Sequence, residues 1–443
     1  MQNQGIRDAR SLGTPKLLVL GLQHMFAMFG ATVLVPALTG LSVSATLLFA
    51  GLGTLFFHFV TKGKVPAFLG SSFAYLAGYA AIAPNGEAAL LPYACVGVAA
   101  SGLLYLILAA LVRGFGANRV MRFFPPVVTG PIIICIGMTL ANSAINNCTG
   151  SWDIALVAIL TVVIFNIWGK GMLRIIPILL GVLVSYVYAA VTGRVDFSGV
   201  ASAAWIGLPV KMENTVFSLI GNCDANLLVT AIIAIMPIAF ATMIEHIGDI
   251  CAISSTVGAN FIADPGLHRT LLGDGLATSI ASLFGAPANT TYGENTGVLA
   301  LTRVYDPLVI RLAAVYAIIA SFCPKFAALV SAMPTGTIGG VSLILYGMIS
   351  AIGVRNLVEN QVDLSKSRNV IVVSLIISLA LGITFSAAGA ITFHVGEFTL
   401  NFSGLAVAAI VGIVVNAILP GKDYSFQNDY DNGKTMEDNG KII

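Results

Sequence analysis

Charged side chains are scarce in this chain of 443 residues. Asp, Glu, Lys and Arg together make up 9% of the sequence, whereas soluble globular domains contain about 25%. This shortage excludes a soluble enzyme, a disordered chain and a coiled coil, because each of these classes needs far more charge. The chain is therefore expected to lie in a lipid bilayer.

Recognisable sites for metals and cofactors are also missing. The six cysteines are scattered singly, and no CxxC pair or short Cys/His spacing could hold a metal ion. We therefore expect no metal and no cofactor. The net charge is only +2, so the overall electrostatics do not indicate nucleic acid as a partner.

Motifs of intramembrane catalysis are absent as well. The sequence has no HExxH, and the stretch Leu271–Asp274 lacks the first glycine of the GxGD pattern of aspartyl proteases. We therefore expect that the chain is not an enzyme and has no catalytic residues.

Apolar residues dominate instead. They make up 57% of the sequence, and the mean hydropathy is +0.92. A helix needs about 20 largely apolar residues to cross the hydrocarbon layer, and the sequence contains fourteen candidate spans, of which the third and tenth are short and interrupted. Their centres lie near Phe26, Leu52, Ala77, Leu103, Cys135, Leu160, Leu183, Pro237, Thr278, Gly297, Tyr316, Leu345, Ile377 and Ala409.

The basic residues indicate the orientation of these spans, because Lys and Arg accumulate on the cytoplasmic side. With the N-terminus in the cytoplasm, all 22 Lys and Arg fall on cytoplasmic segments except Arg194, Lys211 and Lys325. An even number of spans then places both termini in the cytoplasm. The sequence thus predicts an all-α, multi-pass protein of the cell inner or plasma membrane, surrounded by membrane lipid.

Three short sequence pairs recur about half a chain apart. They are Gln23-His24 with Glu245-His246, Gly70-Ser71-Ser72-Phe73 with Thr290-Thr291-Tyr292-Gly293, and Gly137-Met138 with Gly347-Met348. This order is typical of a transporter built from two copies of one unit. Because each copy has seven spans, an odd number, the second copy is inverted in the membrane.

Four carboxylates fall within predicted spans: Glu245, Asp249, Asp274 and Glu294. A charge at that depth is costly unless it is paired or hydrated, so each is a candidate functional residue. Glu245 and Glu294 occupy the repeat-related broken region, which favours direct contact with a ligand. Asp274 favours a tether to a neighbouring helix, and Asp249, one helical turn after Glu245, is either such a tether or a proton site.

The same segments suggest the chemistry of the ligand. Carboxylates accept hydrogen bonds, backbone amides of an unwound segment donate them, and aromatic faces stack on flat rings. The complementary molecule is small, planar and neutral, with N–H donors beside carbonyl acceptors, as in a nucleobase. An inorganic anion does not fit, since no Lys or Arg lies in the interrupted segments.

Several motifs together resemble the nucleobase and ascorbate transporter family, and most closely its uracil-transporting bacterial members. The most specific one runs from Glu294-Asn295 through Gly297 to Thr302-Arg303. Supporting matches lie along nearly the whole chain: Gln23-His24, Gly70-Ser71-Ser72-Phe73-Ala74, Glu245-His246-Ile247-Gly248, Asp264-Pro265-Gly266-Leu267-His268-Arg269 and Gly339-Gly340-Val341-Ser342.

The resemblance implies a fold of 14 transmembrane segments in two inverted seven-segment repeats, with short antiparallel strands in segments 3 and 10. It divides the chain into a core domain (1–112 and 216–332, segments 1–4 and 8–11) and a gate domain (113–215 and 333–420, segments 5–7 and 12–14). Residues 421–443 would form a cytoplasmic tail. Members of the family are commonly homodimers.

The resemblance also implies roles for individual residues. Glu245 and Glu294 would accept hydrogen bonds from the N–H groups of uracil, and the backbone amides of Phe73 and Gly293 would donate to its carbonyls. Glu245 with Asp249 would couple uptake to protons. The remaining ligand contacts, which pack around the ring, would come from Ala31, Tyr292 and Tyr346.

The implied function is proton-coupled, secondary active uptake of uracil by an elevator-like, alternating-access movement. One departure leaves an alternative open: uracil-transporting members often have His where this chain has Asp249, and purine-transporting relatives have Asp there. The alternative hypothesis is therefore a permease for xanthine or uric acid with the same fold. A channel is disfavoured, because buried carboxylates and broken helices suit alternating access better than a continuous pore.

Overall fold

The computed structural model describes residues 5–221, 223–395 and 398–421. The predicted cytoplasmic tail, 421–443, thus lies outside the described residues except for its first residue. Within the described ranges the chain is built mainly from helices.

The helices of the first half are α1 (Thr14–Thr39), α2 (Val43–Val60), α3 (Leu76–Ile82), α4 (Leu91–Phe115), α5 (Ala117–Met121), α6 (Pro126–Cys148), α7 (Trp152–Trp168), α8 (Met172–Ile175), α9 (Pro177–Val191) and α10 (Ser198–Ser202). Those of the second half are α11 (Ala225–Ile235), α12 (Ala239–Val257), α13 (Leu267–Leu283), α14 (Gly293–Thr302), α15 (Pro307–Ser321), α16 (Pro324–Ser331), α17 (Thr335–Glu359), α18 (Ser367–Thr384) and α19 (Gly404–Ile418). The strands are β1 (Leu69–Ser71), β2 (Asn289–Thr291), β3 (Ala390–Val395) and β4 (Phe398–Ser403).

The predicted span centres agree with the positions of these elements. Each centre lies in a helix or, at Pro237, in the 3-10 turn Met236–Ile238, where proline has no N–H to continue the helix. By length and composition, seven helical stretches within the described ranges are able to cross a membrane: α1, α2, α4, α6, the stretch Ala225–Val257, α17 and α18. The pair α15 and α16, bent by 88°, adds an eighth candidate, and α7, α9 and α19 are shorter apolar helices. The number of crossings stays a prediction.

The two interrupted segments pair as an antiparallel ribbon, with Gly70 opposite Thr290 at its centre. Thr290 lies 220 positions after Gly70, the offset of the sequence repeat. The hydrogen bonds at the two ends obey the same symmetry, since Ser72 N donates to Ala288 O at 2.8 Å and Tyr292 N donates to Phe68 O at 3.0 Å. The short strands expected in segments 3 and 10 are therefore present.

Side chains from neighbouring helices satisfy the outer edges of this ribbon. Thr54 Oγ1 on α2 accepts from Leu69 N at 2.9 Å, and Thr278 Oγ1 on α13 donates to Asn289 O at 2.8 Å. Asn289 Nδ2 donates in turn to Phe49 O on α2 at 3.0 Å. Backbone groups without partners are costly at membrane depth, so these bonds make an irregular segment tolerable there.

Helices α6 and α17 form a close seam of small residues. A Cβ at Gly137 would lie only 2.2 Å from Tyr346 O, and a Cβ at Gly353 would lie 2.6 Å from Gly130 O. Small residues allow helix backbones to approach closely in membranes. The successive contacts join Gly130 with Gly353, Gly137 with Tyr346, and Ala144 with Gly339.

Two features of the fold were not expected from the sequence. Strands β3 and β4 form a second antiparallel ribbon, with Ala390 opposite Ser403, between α18 and α19. The sharp bend after α15 places α16 in a new direction where one continuous span was predicted. The bend follows Ser321 and comes just before Pro324, which can begin a helix but not continue one.

Candidate ligand site at the paired strands

The three residues expected to pack around a ligand ring lie together with Phe73, whose amide was expected to donate to the ligand. Ala31 on α1, Phe73 after β1, Tyr292 after β2 and Tyr346 on α17 belong to one buried cluster. The rings of Phe73 and Tyr346 meet edge to face, with centroids 5.8 Å apart, a favourable arrangement for aromatic pairs. The structure therefore brings together residues that are far apart in the sequence.

Two backbone amides just beyond the strands are without partners. Neither Phe73 N nor Gly293 N has a hydrogen-bond acceptor among the residues that the structure describes. These residues are also 220 positions apart, so they occupy equivalent places in the two interrupted segments. A Cβ at Gly293 would meet no atom within 4 Å. Two donors are thus available to a ligand, with open space beside one of them.

Two carboxylates approach the same region from different helices. Glu245 lies on α12, Glu294 lies in the first turn of α14, and these two helices pack against each other. Glu245 Oε2 is buried and has no hydrogen-bond partner in the described part of the chain. Glu294 lies at the positive end of the α14 dipole, where a negative charge is favoured. Both can serve as acceptors for N–H donors of a ligand.

Asp249, one turn after Glu245 on α12, contacts strand β2. Its Oδ2 accepts a 2.7 Å hydrogen bond from Thr291 Oγ1. This contact agrees with a tethering role, and it also places the carboxylate beside the ribbon that precedes the Gly293 amide. The geometry is therefore compatible with both roles considered for Asp249.

The expected tether at Asp274 has a partner in the structure. Asp274 Oδ2 lies 3.2 Å from His246 Nδ1, and neither side chain is accessible to solvent. The two atoms are close but not aligned as a hydrogen bond. The rings of Phe57 and Tyr105 lie edge-on to His246, with centroids 6.3 and 6.5 Å away. The contact joins α12 to α13, as a tether would.

Tyr292 is more involved in the scaffold than the sequence suggested. Its hydroxyl donates to Ser71 O at 2.9 Å, and a Cβ at Gly70 would lie 2.4 Å from its ring. The Tyr292 side chain therefore holds strand β1 in place through this hydrogen bond and through ring contact with Gly70. A contact between the Tyr292 ring and a ligand stays a prediction.

Asn295 was missed as a structural residue. Its Nδ2 donates to His24 O at 3.1 Å and lies 3.2 Å from His24 Nδ1, which connects α14 to α1. A buried amide needs hydrogen-bond partners. The sequence already indicated a hydrogen-bonding role for Asn295, because an amide next to Glu294 in a buried segment needs partners.

The site can bind a small polar molecule through both donors and acceptors. Acceptors come from Glu245 and Glu294, donors come from the Phe73 and Gly293 amides, and the Phe73 ring provides an apolar face. Among the described residues, no group of three or more His, Cys, Asp or Glu side chains could hold a metal ion. The arrangement suits a neutral, planar ligand with N–H and carbonyl groups at its edge.

Comparison with known proteins identifies relatives of the whole chain. The model of a permease family matches residues 15–389. The chain is 41% identical over 441 residues to the uracil permease of Bacillus caldolyticus, which covers 97% of this chain and 98% of that protein. It is 40% identical over 434 residues to the uracil permease of Bacillus subtilis (strain 168), covering 94% and 95%.

A solved structure shares the fold. The transmembrane domain of a cyanobacterium bicarbonate transporter, BicA, is similar with a TM-score of 0.62 over 94% of this chain and all of that one. Since only 13% of the residues are identical, this likeness concerns the fold alone. The family match and the long, highly similar relatives together show that the chain belongs to this permease family, the nucleobase and ascorbate transporters, and is a multi-pass membrane protein.

Proposed function

We propose that this protein is a uracil permease that takes up uracil together with protons across the cytoplasmic membrane. The relatives named uracil permease match it over nearly its full length, which supports uracil as the substrate. Permeases are transporters and not enzymes.

The hydrogen-bonding pattern of the site carries the proposal. Uracil presents two ring N–H groups and two carbonyls along its edge. The Phe73 and Gly293 amides match the carbonyls, and Glu294 together with Oε2 of Glu245 matches the N–H groups. Neither the amides nor this oxygen has a hydrogen-bond partner among the described residues. The ring would lie against Phe73, with Ala31, Tyr292 and Tyr346 around it.

The proposed architecture has fourteen segments in two inverted repeats. Support comes from the 220-residue offset, which relates strands β1 and β2, their flanking hydrogen bonds, and the Phe73 and Gly293 amides, which have no acceptor among the described residues. The α6 and α17 seam has an equivalent symmetry, because the contacts at Gly130, Gly137 and Ala144 are related by an offset of 209 to those at Gly339, Tyr346 and Gly353. Inverted repeats meet in this way about an axis in the membrane plane.

Transport would proceed by movement of a core domain (1–112 and 216–332) against a gate domain (113–215 and 333–420). Strands β1 and β2 and the carboxylates of Glu245 and Glu294 belong to the proposed core, whereas Tyr346 belongs to the gate. The ligand would thus lie at the boundary between the domains and move with the core. In this proposal both termini are cytoplasmic and the protein forms a homodimer.

Proton coupling is assigned to Glu245 and Asp249. Two carboxylates one helical turn apart in a region of low dielectric resist double ionisation, so they take up and release protons as a pair. Because Glu245 would also contact uracil, binding of substrate and of protons would be linked.

A competition experiment tests the substrate. Purified protein in proteoliposomes would take up radiolabelled uracil in the presence of excess unlabelled uracil, xanthine or uric acid. We expect only uracil to compete strongly. Uptake of radiolabelled xanthine or uric acid without saturable uptake of radiolabelled uracil would instead favour the purine permease, which the named relatives do not support.

A further inference from the structure

The structure contains an apolar cavity of about 480 Å³ whose lining residues include none of the candidate ligand-site residues. It is formed by α4, α5, α12 and α19, with Leu108, Val120, Met243 and Ile413 as representative lining residues. Arg119 is the only charged side chain among the described residues that line it. A cavity with one cationic group and apolar walls suits a molecule with a long hydrocarbon part and a negative head.

The stretch of chain that contains Arg119 is positively charged. The connection from α4 to α6, residues 113–122, carries Arg113, Arg119 and Arg122 and no acidic residue. All three side chains are exposed, and Arg119 has no hydrogen-bond or ion-pair partner in the part of the chain that the structure describes.

We propose that this cavity binds one acyl chain of an anionic phospholipid, whose phosphate pairs with Arg119. Guanidinium groups form strong, directional hydrogen bonds to phosphate oxygens. Basic pockets between membrane helices are suited to anionic headgroups, and arginine stems extend readily along apolar surfaces. The apolar walls exclude a free phosphate ion as the occupant, since such an ion would leave them unfilled.

The position of the cavity gives the lipid a consequence for transport, which rests on the proposed function. Helix α12 and most of α4 belong to the proposed core domain, whereas α5 and α19 belong to the proposed gate domain. A lipid held between them would contact both domains and change the equilibrium between their arrangements. Anionic phospholipid is therefore expected to modulate the rate of uptake.

Lipid retention tests the assignment directly. Wild-type protein in detergent would be titrated with phosphatidylglycerol or phosphatidylcholine, and bound lipid would be counted by native mass spectrometry. We expect wild type to prefer phosphatidylglycerol and Arg119→Gln to lose about fivefold in affinity for it. The matched control is Arg174→Gln, which removes an exposed arginine on α8 outside the cavity and should leave affinity unchanged.

A second pair of variants tests whether the cavity holds the acyl chain. Ile107 lines the cavity and is 56% exposed, while Leu103 is 55% exposed on the same helix and does not line it. Ile107→Trp should reduce retention of phosphatidylglycerol, and Leu103→Trp should not. Equal retention by the two variants, or binding of phosphatidylcholine as tight as that of phosphatidylglycerol, would overturn the assignment.

Retention is measured without substrate, so it separates this inference from the proposed function. A protein that retains phosphatidylglycerol in an Arg119-dependent way but does not bind uracil would contradict the uracil proposal and support the lipid site. In uptake assays, adding phosphatidylglycerol to phosphatidylcholine liposomes should change the rate of wild type severalfold and leave Arg119→Gln unchanged. The same response from both proteins would overturn the role in transport.

Discussion

The hydroxyl of Thr291 donates a 2.7 Å hydrogen bond to Oδ2 of Asp249. This bond joins strand β2 to helix α12, so the residue proposed for proton coupling is attached to the ribbon beside the proposed uracil site. A tether and a proton carrier would both be served by such a contact. The two roles can be separated experimentally. A tether needs the hydrogen bond from Thr291, whereas a proton carrier needs an ionisable group at Asp249.

The first prediction uses this pair to test coupling. In Asp249→Asn, the amide oxygen can still accept from Thr291, but the group can no longer bind a proton. We expect this variant to keep measurable uracil binding, to lose gradient-driven accumulation and to show a flatter pH profile of binding between mildly acidic and mildly alkaline conditions. Calorimetry across pH and uptake into proteoliposomes check these outcomes.

Thr291→Val provides the matched control, because it removes the hydrogen bond and keeps the carboxylate. It should lower stability by about 1–3 kcal/mol while leaving accumulation dependent on the proton gradient. If Asp249→Asn instead loses only stability and keeps the wild-type pH profile, Asp249 is a tether.

The second prediction concerns Glu294. Glu294→Gln replaces a group that only accepts hydrogen bonds with one that also presents N–H donors toward the N–H of the ligand. Uracil affinity measured by calorimetry should fall about tenfold or more. Glu213→Gln, on the exposed turn Met212–Asn214, controls for the loss of one charge. Unchanged affinity in Glu294→Gln would remove this residue from the site.

The third prediction tests the open space at Gly293. Because a Cβ there meets no protein atom within 4 Å, Gly293→Val should fold but crowd the ligand and stiffen the segment beside its amide. We expect a monodisperse protein that does not bind uracil. Gly382→Val, at another open glycine on α18, should bind normally. Normal binding by Gly293→Val would show that the tenth segment is not the binding segment.

The fourth prediction tests how helices support the ribbon. Thr54→Val leaves Leu69 N without its acceptor in a buried place, which should cost about 1–3 kcal/mol and weaken uracil binding by displacing β1. Thr46 is a control on the same helix, since within the described residues its hydroxyl bonds only to Ser42 O. Thermal unfolding and uracil calorimetry should show a larger loss for Thr54→Val than for Thr46→Val. Equal losses would mean that Thr54 contributes only to its own helix.

The sequence predicted much of the fold because its signals are local. Long apolar runs indicate helices, and the polar, glycine-rich stretches around Gly70 and Gly293 interrupt them. The repeat offset of 220 even relates Gly70 to Thr290, the residues that meet at the centre of the ribbon. The second ribbon also had a signal, since apolar and polar residues alternate from Ile391 to His394.

The supporting contacts could not be predicted in the same way. A threonine in an apolar helix usually bonds to its own helix, so nothing in the sequence distinguishes Thr54, which serves Leu69, from Thr46. The contact of Asn295 with His24 spans 271 positions and depends on how α1 packs against α14. Such contacts are determined by tertiary packing, which leaves no periodic signal.

Uptake of uracil driven by different ion gradients tests the central claim most directly. Proteoliposomes containing the purified protein would be given either an inward proton gradient or an inward sodium gradient at equal pH on both sides, with radiolabelled uracil outside. We predict accumulation of uracil above its external concentration with the proton gradient, collapse of that accumulation when a protonophore is added, and mere equilibration with sodium. Accumulation driven by sodium and indifferent to the proton gradient would contradict the account.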